Sequence, residues 1–327
     1  MAEMRMIEAV RAAITEEMER DERVLVLGED VGRKGGVFGA TDGLYARFGE
    51  ARVLDTPLAE SGIVGIAIGA ALNGLIPIAE IQFADFIHPA FDQIVSEAAR
   101  TRYRSNGDWS VPMVIRAPFG GGVHGGLYHS QSIEAFYAHV PGLKVVVPST
   151  PSDAHGLLKA AIRDPDPVLF LEHKKVYRLV TEDVPDGDHL LPIGPAVVRR
   201  EGTRISCFAW GLMTHFCMQA AADVEGEGIS VEVVDLRTLA PLDRDIILAS
   251  VQKTGKAMVV HEDNLTGGFG AEVAATIAQH AFDSLDGPVV RVAAPDIPAM
   301  PFNNPQEEFF MPSPEKIATA MRALAAY

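Results

Sequence analysis

Short apolar segments alternate with helical segments along almost the whole chain, and this alternation limits the folds that the chain can adopt. Residues 24–30 (VLVLGED), 111–118 (VPMVIRAP) and 167–173 (PVLFLEH) have the apolar character of buried strands. Between such runs, apolar residues return every third or fourth position, as in segment 7–18. Parallel strands need helical crossovers of this kind, so the pattern predicts mainly parallel sheets covered by helices on both faces.

Residues 179–195 (LVTEDVPDGDHLLPIGP) interrupt this alternation with two acidic clusters and three prolines. Strands and helices resume after them. A chain of 327 residues is also longer than one hydrophobic core usually supports. We therefore expect an α/β domain over residues 1–178, a linker over 179–193 and a smaller α/β domain over 194–327.

Charge and composition argue against several classes of function. The chain has 28 Lys and Arg against 44 Asp and Glu, a net charge of −16, which disfavours nucleic acid and anionic membranes as partners. The apolar run 62–79 is broken by an Asn-Gly pair and by Pro77, so it predicts a buried helix followed by a strand and not a membrane span. Cys207 and Cys217 have neither metal-ligand nor CxxC spacing, which disfavours zinc and favours a reducing, cytoplasmic setting.

Glu60 stands at the start of the apolar stretch LAESGIVGIAIGAAL (58–72), which holds no lysine or arginine. A buried carboxylate without a partner costs several kcal/mol unless it keeps its proton or meets a ligand. Two interpretations stay open: a ligand-binding acid in a loop that follows a strand, or a first-turn acid that only favours the helix dipole. Gly62, Gly65 and Gly69 each cost about 1 kcal/mol of helix propensity, which suggests that another backbone approaches this helix closely.

The stretch PFGGGVHGGLYHSQS (118–132) is a glycine-rich loop that carries His124 and His129. It lacks the GK[ST] of a nucleotide-binding P-loop, and neither GGVFGA nor GGFGAE fits the dinucleotide pattern GxGxxG. From the residues alone, a histidine in such a loop is either exposed and structural or catalytic.

Several long segments together resemble one family. They are GEDVGRKGGVF (28–38), DTPLAESGIVGIAIGAALNGLIPIAEIQFADF (55–86), GGLYHSQSIEAFYAHVPGLKVVVPSTPSDAHGLLKAAIRDPDPVLFLEHKKVYR (125–178) and VVDLRTLAPLD (233–243). The chain resembles, over almost its whole length, the β subunit of the thiamine-diphosphate-dependent component of 2-oxo acid dehydrogenase complexes. The branched-chain enzymes are the nearest match, and the pyruvate and acetoin dehydrogenases are the alternative.

The resemblance implies a transketolase-like pyrimidine-binding domain followed by a transketolase C-terminal-like domain. It implies that Glu60 hydrogen-bonds the aminopyrimidine ring of thiamine diphosphate and activates it, while Leu58, Gln82 and Phe86 surround that ring. It further implies that His129 assists the substrate and the acyl transfer to lipoamide. Some relatives carry tyrosine at the Phe86 position.

The resemblance also implies partners. The chain lacks a GDG motif that opens a helix, so Mg²⁺ and the cofactor diphosphate are expected on an α subunit in an α2β2 heterotetramer. The other expected partners are a dihydrolipoyl acyltransferase core and a small 2-oxo acid. Relatives bind K⁺ near the segment AAIRDPDPV, where Ala161, Ile162, Asp164 and Asp166 could supply oxygen ligands. A solvated acidic turn is the alternative there.

Three other functions compete with this hypothesis. A self-contained transketolase-like enzyme would need a diphosphate domain for which 327 residues leave no room. A non-catalytic scaffold is disfavoured because both Glu60 and His129 are retained. A nicotinamide dehydrogenase is disfavoured because the dinucleotide fingerprint is missing.

Overall fold

A computed structural model of the chain describes residues 2–327. The chain forms two compact units. The first contains the residues up to Phe119 together with Phe136–Ile193, and the second contains Gly120–Ala135 and Gly194–Tyr327. The glycine-rich loop thus groups with the second unit, and the segment expected to be a linker groups with the first.

The first unit is built on parallel strands. The strands of this part of the chain are β1 (Ala2–Arg5), β2 (Val24–Gly28), β3 (Val53–Asp55), β4 (Ile76–Glu80), β5 (Val114–Phe119), β6 (Lys144–Val146), β7 (Val168–His173) and β8 (Thr181–Val184). Six of them run parallel in the order β6-β7-β5-β4-β2-β3. Strand β8 pairs antiparallel with β1, so part of the acidic segment after residue 178 is ordered as a strand.

Helices flank these strands. They are α1 (Met6–Arg20), α2 (Leu44–Phe48), α3 (Glu60–Leu72), α4 (Thr101–Arg104), α5 (Glu134–Ala138), α6 (Pro151–Ile162) and α7 (Val176–Leu179), with a π-helix over Gln93–Ala98. Helix α1 packs against α6 and buries the apolar face predicted from the spacing of residues 7–18. Thr150 caps α6 by accepting a hydrogen bond from the backbone N–H of Asp153.

The second unit repeats the architecture on a smaller scale. Its strands are β9 (Val197–Arg200), β10 (Ile205–Ala209), β11 (Val231–Asp235), β12 (Thr238–Ala240), β13 (Ala257–Asn264) and β14 (Val290–Ala294), and its helices are α8 (Leu212–Glu225), α9 (Arg244–Thr254), α10 (Gly270–His280), α11 (Asn304–Phe310) and α12 (Pro314–Ala325). Five strands form a sheet in the order β14-β13-β10-β11-β9, parallel except for β9. The predicted fold class, two α/β units with mainly parallel sheets, is confirmed.

The apolar run after Glu60 forms the predicted helix and strand, α3 and β4. Only one face of α3 is buried, however, and Gly65, Ile66 and Gly69 are exposed, with Ile66 at 62%. Apart from the adjacent residues and the backbone of α3 itself, no described atom lies within 4 Å of a Cβ built on Gly65 or Gly69. Residues 2–327 therefore do not supply the close neighbour that these glycines suggested. In residues 2–327 no helix has the length and apolarity to cross a membrane.

Candidate active site

The carboxyl ends of three adjacent strands meet at one edge of the first unit. Gly28, the last residue of β2, lies in register with Asp55 at the end of β3 and with Glu80 at the end of β4. The segments that leave these ends carry Glu29, Glu60 and Gln82. Ligands of parallel sheets bind in this kind of position, beyond the carboxyl ends of the strands.

Glu60 is the first residue of α3 and is half-buried. Its carboxylate takes part in no hydrogen bond and no ion pair with residues 2–327. Its position in the first turn favours a negative charge, because the backbone N–H groups there are without helical partners. The fold therefore holds an acid at the edge of the sheet and leaves its oxygens available to a ligand.

Glu29 is a neighbour of Glu60 that the sequence analysis missed. Burial raises the pKa of Glu29, and the negative charges of Glu60 and Asp30 raise it further. One oxygen of Glu29, Oε1, is buried without a hydrogen-bond partner. The available signal was the pair of acids in GED, directly after the apolar run of β2.

Gln82 contacts the segment that follows β2. Its side-chain amide nitrogen lies 3.4 Å from the backbone oxygen of Glu29 and 3.4 Å from Oδ2 of Asp30. Glu29 is therefore a neighbour of both Glu60 and Gln82, and all three residues lie at the same edge of the sheet. An unsatisfied carboxyl oxygen beside an unpartnered carboxylate fits a ligand with ring nitrogens and an amino group, such as an aminopyrimidine.

The two apolar residues predicted for this site differ in exposure. Leu58 lies just before α3 and is 78% exposed. Phe86 is half-buried and packs edge-on against Phe83, with ring centroids 5.9 Å apart. Both residues follow carboxyl ends of the strands, Leu58 after β3 and Phe86 after β4.

A fully buried ion cluster lies at the ends of β4, β5 and β7. The guanidinium of Arg116 donates to both oxygens of Glu172, at 2.7 and 2.6 Å, and to Glu80 at 2.5 Å. The hydroxyl of Tyr177 donates to Glu172. Burial raises the pKa of Glu80 despite the opposing charge of Arg116, and burial followed by the charge of Glu172 raises the pKa of Tyr177. The carboxylates of Glu80 and Glu172 thus have charged hydrogen-bond partners within the chain, whereas that of Glu60 has none among residues 2–327.

His129 lies in the second unit, after a 3₁₀ turn over Gly126–Tyr128, and is half-buried. The loop around it is anchored to carboxylates of the same unit: Glu262 accepts from the backbone N–H of Gly121, and Glu307 accepts from that of Gly122. The structure places His129 in a different unit from Glu60. The sequence analysis did not anticipate the two anchoring glutamates.

The four residues predicted to bind K⁺ follow the end of α6. The ammonium of Lys144 contacts both oxygens of Asp164 at 2.6 Å, and Arg102 pairs with Asp166. The backbone N–H of Asp164 donates to the carbonyl of Ala161. Both carboxylates therefore have basic partners within the first unit, and Ile162 is buried.

Comparison with known proteins assigns the family. Residues 2–180 match the transketolase pyrimidine-binding domain, and residues 194–317 match the transketolase C-terminal domain. The chain is 60% identical to the β subunit of 2-oxoisovalerate dehydrogenase from Bacillus subtilis, over 100% of both chains. The chain belongs to the family of 2-oxo acid dehydrogenase β subunits. The recognition made from the sequence motifs is thereby confirmed.

Other relatives of this β-subunit family are slightly more distant. The β subunit of the pyruvate dehydrogenase E1 component from Bacillus subtilis is 51% identical over 99% of both chains. A mitochondrial 2-oxoisovalerate dehydrogenase β subunit from Arabidopsis thaliana is also 51% identical, over 99% of this chain and 90% of that one. A solved structure described as a split-gene transketolase, an inactive β4 tetramer, superposes with a TM-score of 0.80 at 25% identity and covers 99% of this chain and 98% of that one.

Proposed function

We propose that this chain is the β subunit of a branched-chain 2-oxo acid dehydrogenase. With an α subunit it would carry out oxidative decarboxylation of 2-oxo acids and reductive acylation of lipoamide. The observation that carries the proposal is Glu60, an unpartnered carboxylate at the strand ends of the part matched to a pyrimidine-binding domain. The full-length identity of 60% to a 2-oxoisovalerate dehydrogenase β subunit supports the branched-chain assignment.

A pyruvate dehydrogenase is the second candidate, supported by 51% identity over 99% of both chains, and an acetoin dehydrogenase is the other alternative from the sequence. Reconstitution with the α subunit, followed by turnover of 3-methyl-2-oxobutanoate, pyruvate and acetoin, separates the three. We expect 3-methyl-2-oxobutanoate to have the highest kcat/KM. A higher value for pyruvate or acetoin would overturn the branched-chain assignment.

The first unit fits the aminopyrimidine of thiamine diphosphate. Glu60 would hydrogen-bond a ring nitrogen and hold the proton there, Gln82 and Leu58 would border the ring, and Phe86 would stack on it. The apolar residues that follow Glu60 in α3 would keep water from this bond. Thiamine diphosphate, when bound, supplies the carbon that attacks the 2-oxo group and the electron sink for decarboxylation.

His129 would act on the substrate side. An imidazole can hold or deliver a proton near neutral pH, which suits stabilisation of the 2-oxo acid and acyl transfer to lipoamide. The glycines of this loop carry no side chains that would hinder the approach of a substrate. This assignment rests on the family resemblance of GGLYHSQS and on the anchored loop that carries it.

An α subunit would complete the enzyme as an α2β2 heterotetramer and would hold Mg²⁺ and the diphosphate. The exposed face of α3 supports such a contact, because Gly65 and Gly69 have open space where a side chain would be and Ile66 is exposed between them. A backbone of another subunit can approach this face closely. Activity of the chain with and without the α subunit tests the requirement, and turnover by the chain alone would contradict it.

The second unit would dock the basic binding domain of a dihydrolipoyl acyltransferase core. Residues 194–327 carry 17 acidic and 10 basic residues, so their charge would steer a cationic partner. We expect the association rate, measured by surface plasmon resonance on the assembled tetramer, to fall as salt rises, because charges are screened over about 8 Å at 0.15 M. A rate unaffected by salt and by neutralising the acids of residues 296–315 would leave solubility as the role of the charge.

A K⁺ site at Ala161, Ile162, Asp164 and Asp166 stays a prediction. The basic partners of both carboxylates balance the charge of the turn without an added ion. If K⁺ binds there, replacing it with a large organic cation should lower the Tm. An unchanged Tm would mean that Lys144 and Arg102 suffice.

The proposed setting is the cytoplasm. Cys207 and Cys217 are both free and buried, so the fold uses them as thiols. Buried free thiols are typical of proteins that fold under reducing conditions.

A further inference from the structure

The loop that carries His129 is tied to the second unit by two carboxylates that are distant in sequence. Glu262 lies on β13, and its Oε1 accepts from the backbone N–H of Gly121 at 2.5 Å and from the hydroxyl of Ser132 at 3.2 Å. It thereby bonds the loop on both sides of His129. No bond of this kind was predictable from the loop sequence, because its partner is about 130 residues further along the chain.

Glu307, on α11, anchors the same loop at a second point. Its Oε1 accepts from the backbone N–H groups of Gly122 and His124, at 2.9 and 3.3 Å. Its other carboxylate oxygen pairs with Nδ1 of His124. Three backbone N–H groups within four residues therefore point at two carboxylates.

These bonds matter because the glycine-rich backbone of the loop is intrinsically flexible. Gly120, Gly122 and Gly126 have φ values of +85°, +76° and +63°, and His124 has +57°. Such glycine-rich backbone has many accessible conformations and loses much entropy when it is ordered. Charge-assisted hydrogen bonds to backbone N–H groups are among the stronger ones, so they can select one conformation.

The carboxylates in turn depend on the loop. Glu262 and Glu307 are each only 3% exposed. A buried carboxylate is costly unless hydrogen bonds satisfy it, and the loop supplies several of those bonds. The loop also fits closely elsewhere, since a Cβ on Gly121 would come within 2.5 Å of Cε of Met300. Loop and carboxylates therefore form one interlocked structure.

We propose that Glu262 and Glu307 are positioning residues for His129: they fix the backbone on either side of it and so set where its imidazole stands during the reaction. The inference rests on the proposed function of His129. Neither glutamate is proposed to touch the substrate or the cofactor. Their effect passes through the loop.

The test uses Glu262→Ala, Glu262→Gln and Glu307→Ala in the complex with the α subunit, with Glu232→Ala as a matched control. Glu232 is a buried carboxylate of the same unit that bonds Ser250 and Lys253 and not the loop. Hydrogen–deuterium exchange of residues 120–132 reports on the loop. We expect exchange to rise about tenfold or more in both alanine variants, since each loses charge-assisted hydrogen bonds. Glu262→Gln, which keeps a carbonyl acceptor, should stay near wild type, as should Glu232→Ala.

Turnover then tests whether the loop position matters. We expect kcat for reductive acylation to fall about 10-fold to 100-fold in the alanine variants, as when a reacting group is misplaced. The Kd for thiamine diphosphate should not change. In Glu262→Gln, kcat should return to near the wild-type value. Wild-type kcat together with raised loop exchange would overturn the inference, and so would unchanged loop exchange. If an alanine variant does not fold, Glu262→Met and Glu307→Met, which keep most of the side-chain volume but have no oxygen acceptor, replace the alanine variants in the same comparison.

His129→Ala, run in the same assays, separates this inference from the proposed function. Normal acylation by His129→Ala would show that His129 has no role in transfer, whatever the glutamate variants do. Impaired acylation by His129→Ala with normal acylation by Glu262→Ala would leave the function intact and reject the positioning role.

Discussion

Glu60 and Glu262 are both carboxylates beside glycine-rich sequence, and the two units treat them in opposite ways. Glu60 begins α3 in the first unit, is half-buried and has no hydrogen bond from residues 2–327. Glu262 lies in the second unit, is buried and accepts hydrogen bonds from Gly121 and Ser132. The comparison indicates that carboxylates with hydrogen-bond partners inside the chain hold the fold together, whereas the carboxylate of Glu60 at the strand ends remains available to a ligand.

The sharpest test of this contrast is Glu60→Gln. Loss of the proton-holding carboxylate should lower turnover of the reconstituted tetramer by at least about 10²-fold to 10⁴-fold, as is typical of acid–base steps. The Tm should not fall, because no described residue bonds to Glu60. Steady-state decarboxylation and thermal denaturation measure the two effects.

Two results would break the contrast at Glu60. Retention of more than about a tenth of wild-type turnover would remove its catalytic role, because acid–base groups contribute more than that. A large drop in Tm would show that Glu60 is a structural acid after all.

Arg116→Met tests the contrasting case in the first unit, buried carboxylates that are paired within the chain. It would leave the buried carboxylates of Glu80 and Glu172 without their cation, and breaking a buried pair in this way costs about 3–5 kcal/mol of unfolding free energy. Chemical denaturation measures the loss. Arg104→Met, which removes an exposed pair with Glu97, is the control and should leave the Tm unchanged. Equal effects of the two substitutions would refute the structural role of the cluster.

Glu134→Gln tests whether a buried carboxyl of the second unit makes the stability of the fold depend on pH. Glu134 accepts from the indole N–H of Trp210, and burial followed by the charge of Asp263 raises its pKa to about 8. A carboxyl whose folded pKa exceeds its unfolded value stabilises the fold fully below the unfolded pKa, near 4.5, and loses that contribution as pH rises through about 8. Between pH 5 and pH 9 the wild type should therefore lose about 2–5 kcal/mol that the Gln variant does not lose.

Thermal unfolding at pH 5, 7 and 9 measures this difference between wild type and Glu134→Gln. Thr276→Val, at a buried residue of the same unit that has no titratable group, is the control and should keep the wild-type pH slope. Identical slopes for wild type and Glu134→Gln would mean that Glu134 does not hold its proton in the folded state.

His129→Ala tests whether acyl transfer and cofactor binding depend on residues of different units. We expect reductive acylation to fall about 10²-fold, as for loss of an acid–base group, while calorimetric titration shows an unchanged Kd for thiamine diphosphate. The reason is that the residues proposed to border the cofactor ring belong to the first unit, whereas His129 groups with the second. A variant that acylates lipoamide at the wild-type rate would refute the assignment.

Gly65→Ala has the smallest expected effect on the chain and tests the open face of α3. Its Cβ would meet no described atom within 4 Å outside the adjacent residues and the backbone of α3, so the chain should gain up to about 1 kcal/mol from better helix propensity. If a backbone of the α subunit packs against Gly65, association of this variant with the α subunit should weaken. Analytical sedimentation measures that association. Gly142→Ala is a control of opposite sign, because φ is +94° and a Cβ would lie 2.1 Å from the oxygen of Ala99. Undiminished association of Gly65→Ala would exclude close packing at this position.

Local patterns in the sequence were enough to predict the elements around Glu60. The apolar spacing of residues 7–18 predicted the buried face of α1, and the run ended by Gly74 predicted a helix followed by a strand. These features depend on periodicity and on backbone preferences, which act over a few residues. The position of Glu60 at the start of a helix belongs to the same class of information.

Tertiary structure alone decided what surrounds each acid. Three features join residues that are 31 to 185 positions apart: the proximity of Glu29 to Glu60, the ion pair of Glu80 with Arg116, and the anchoring of the His129 loop by Glu262 and Glu307. Hydrogen bonding and burial of charge depend on which strand ends and loops meet in space, and local sequence does not encode that meeting. The sequence therefore determined that the chain carries a glutamate at a helix start and a histidine in a glycine-rich loop. The fold decided that Glu80 and Glu262 have partners within the chain and that Glu60 has none among residues 2–327.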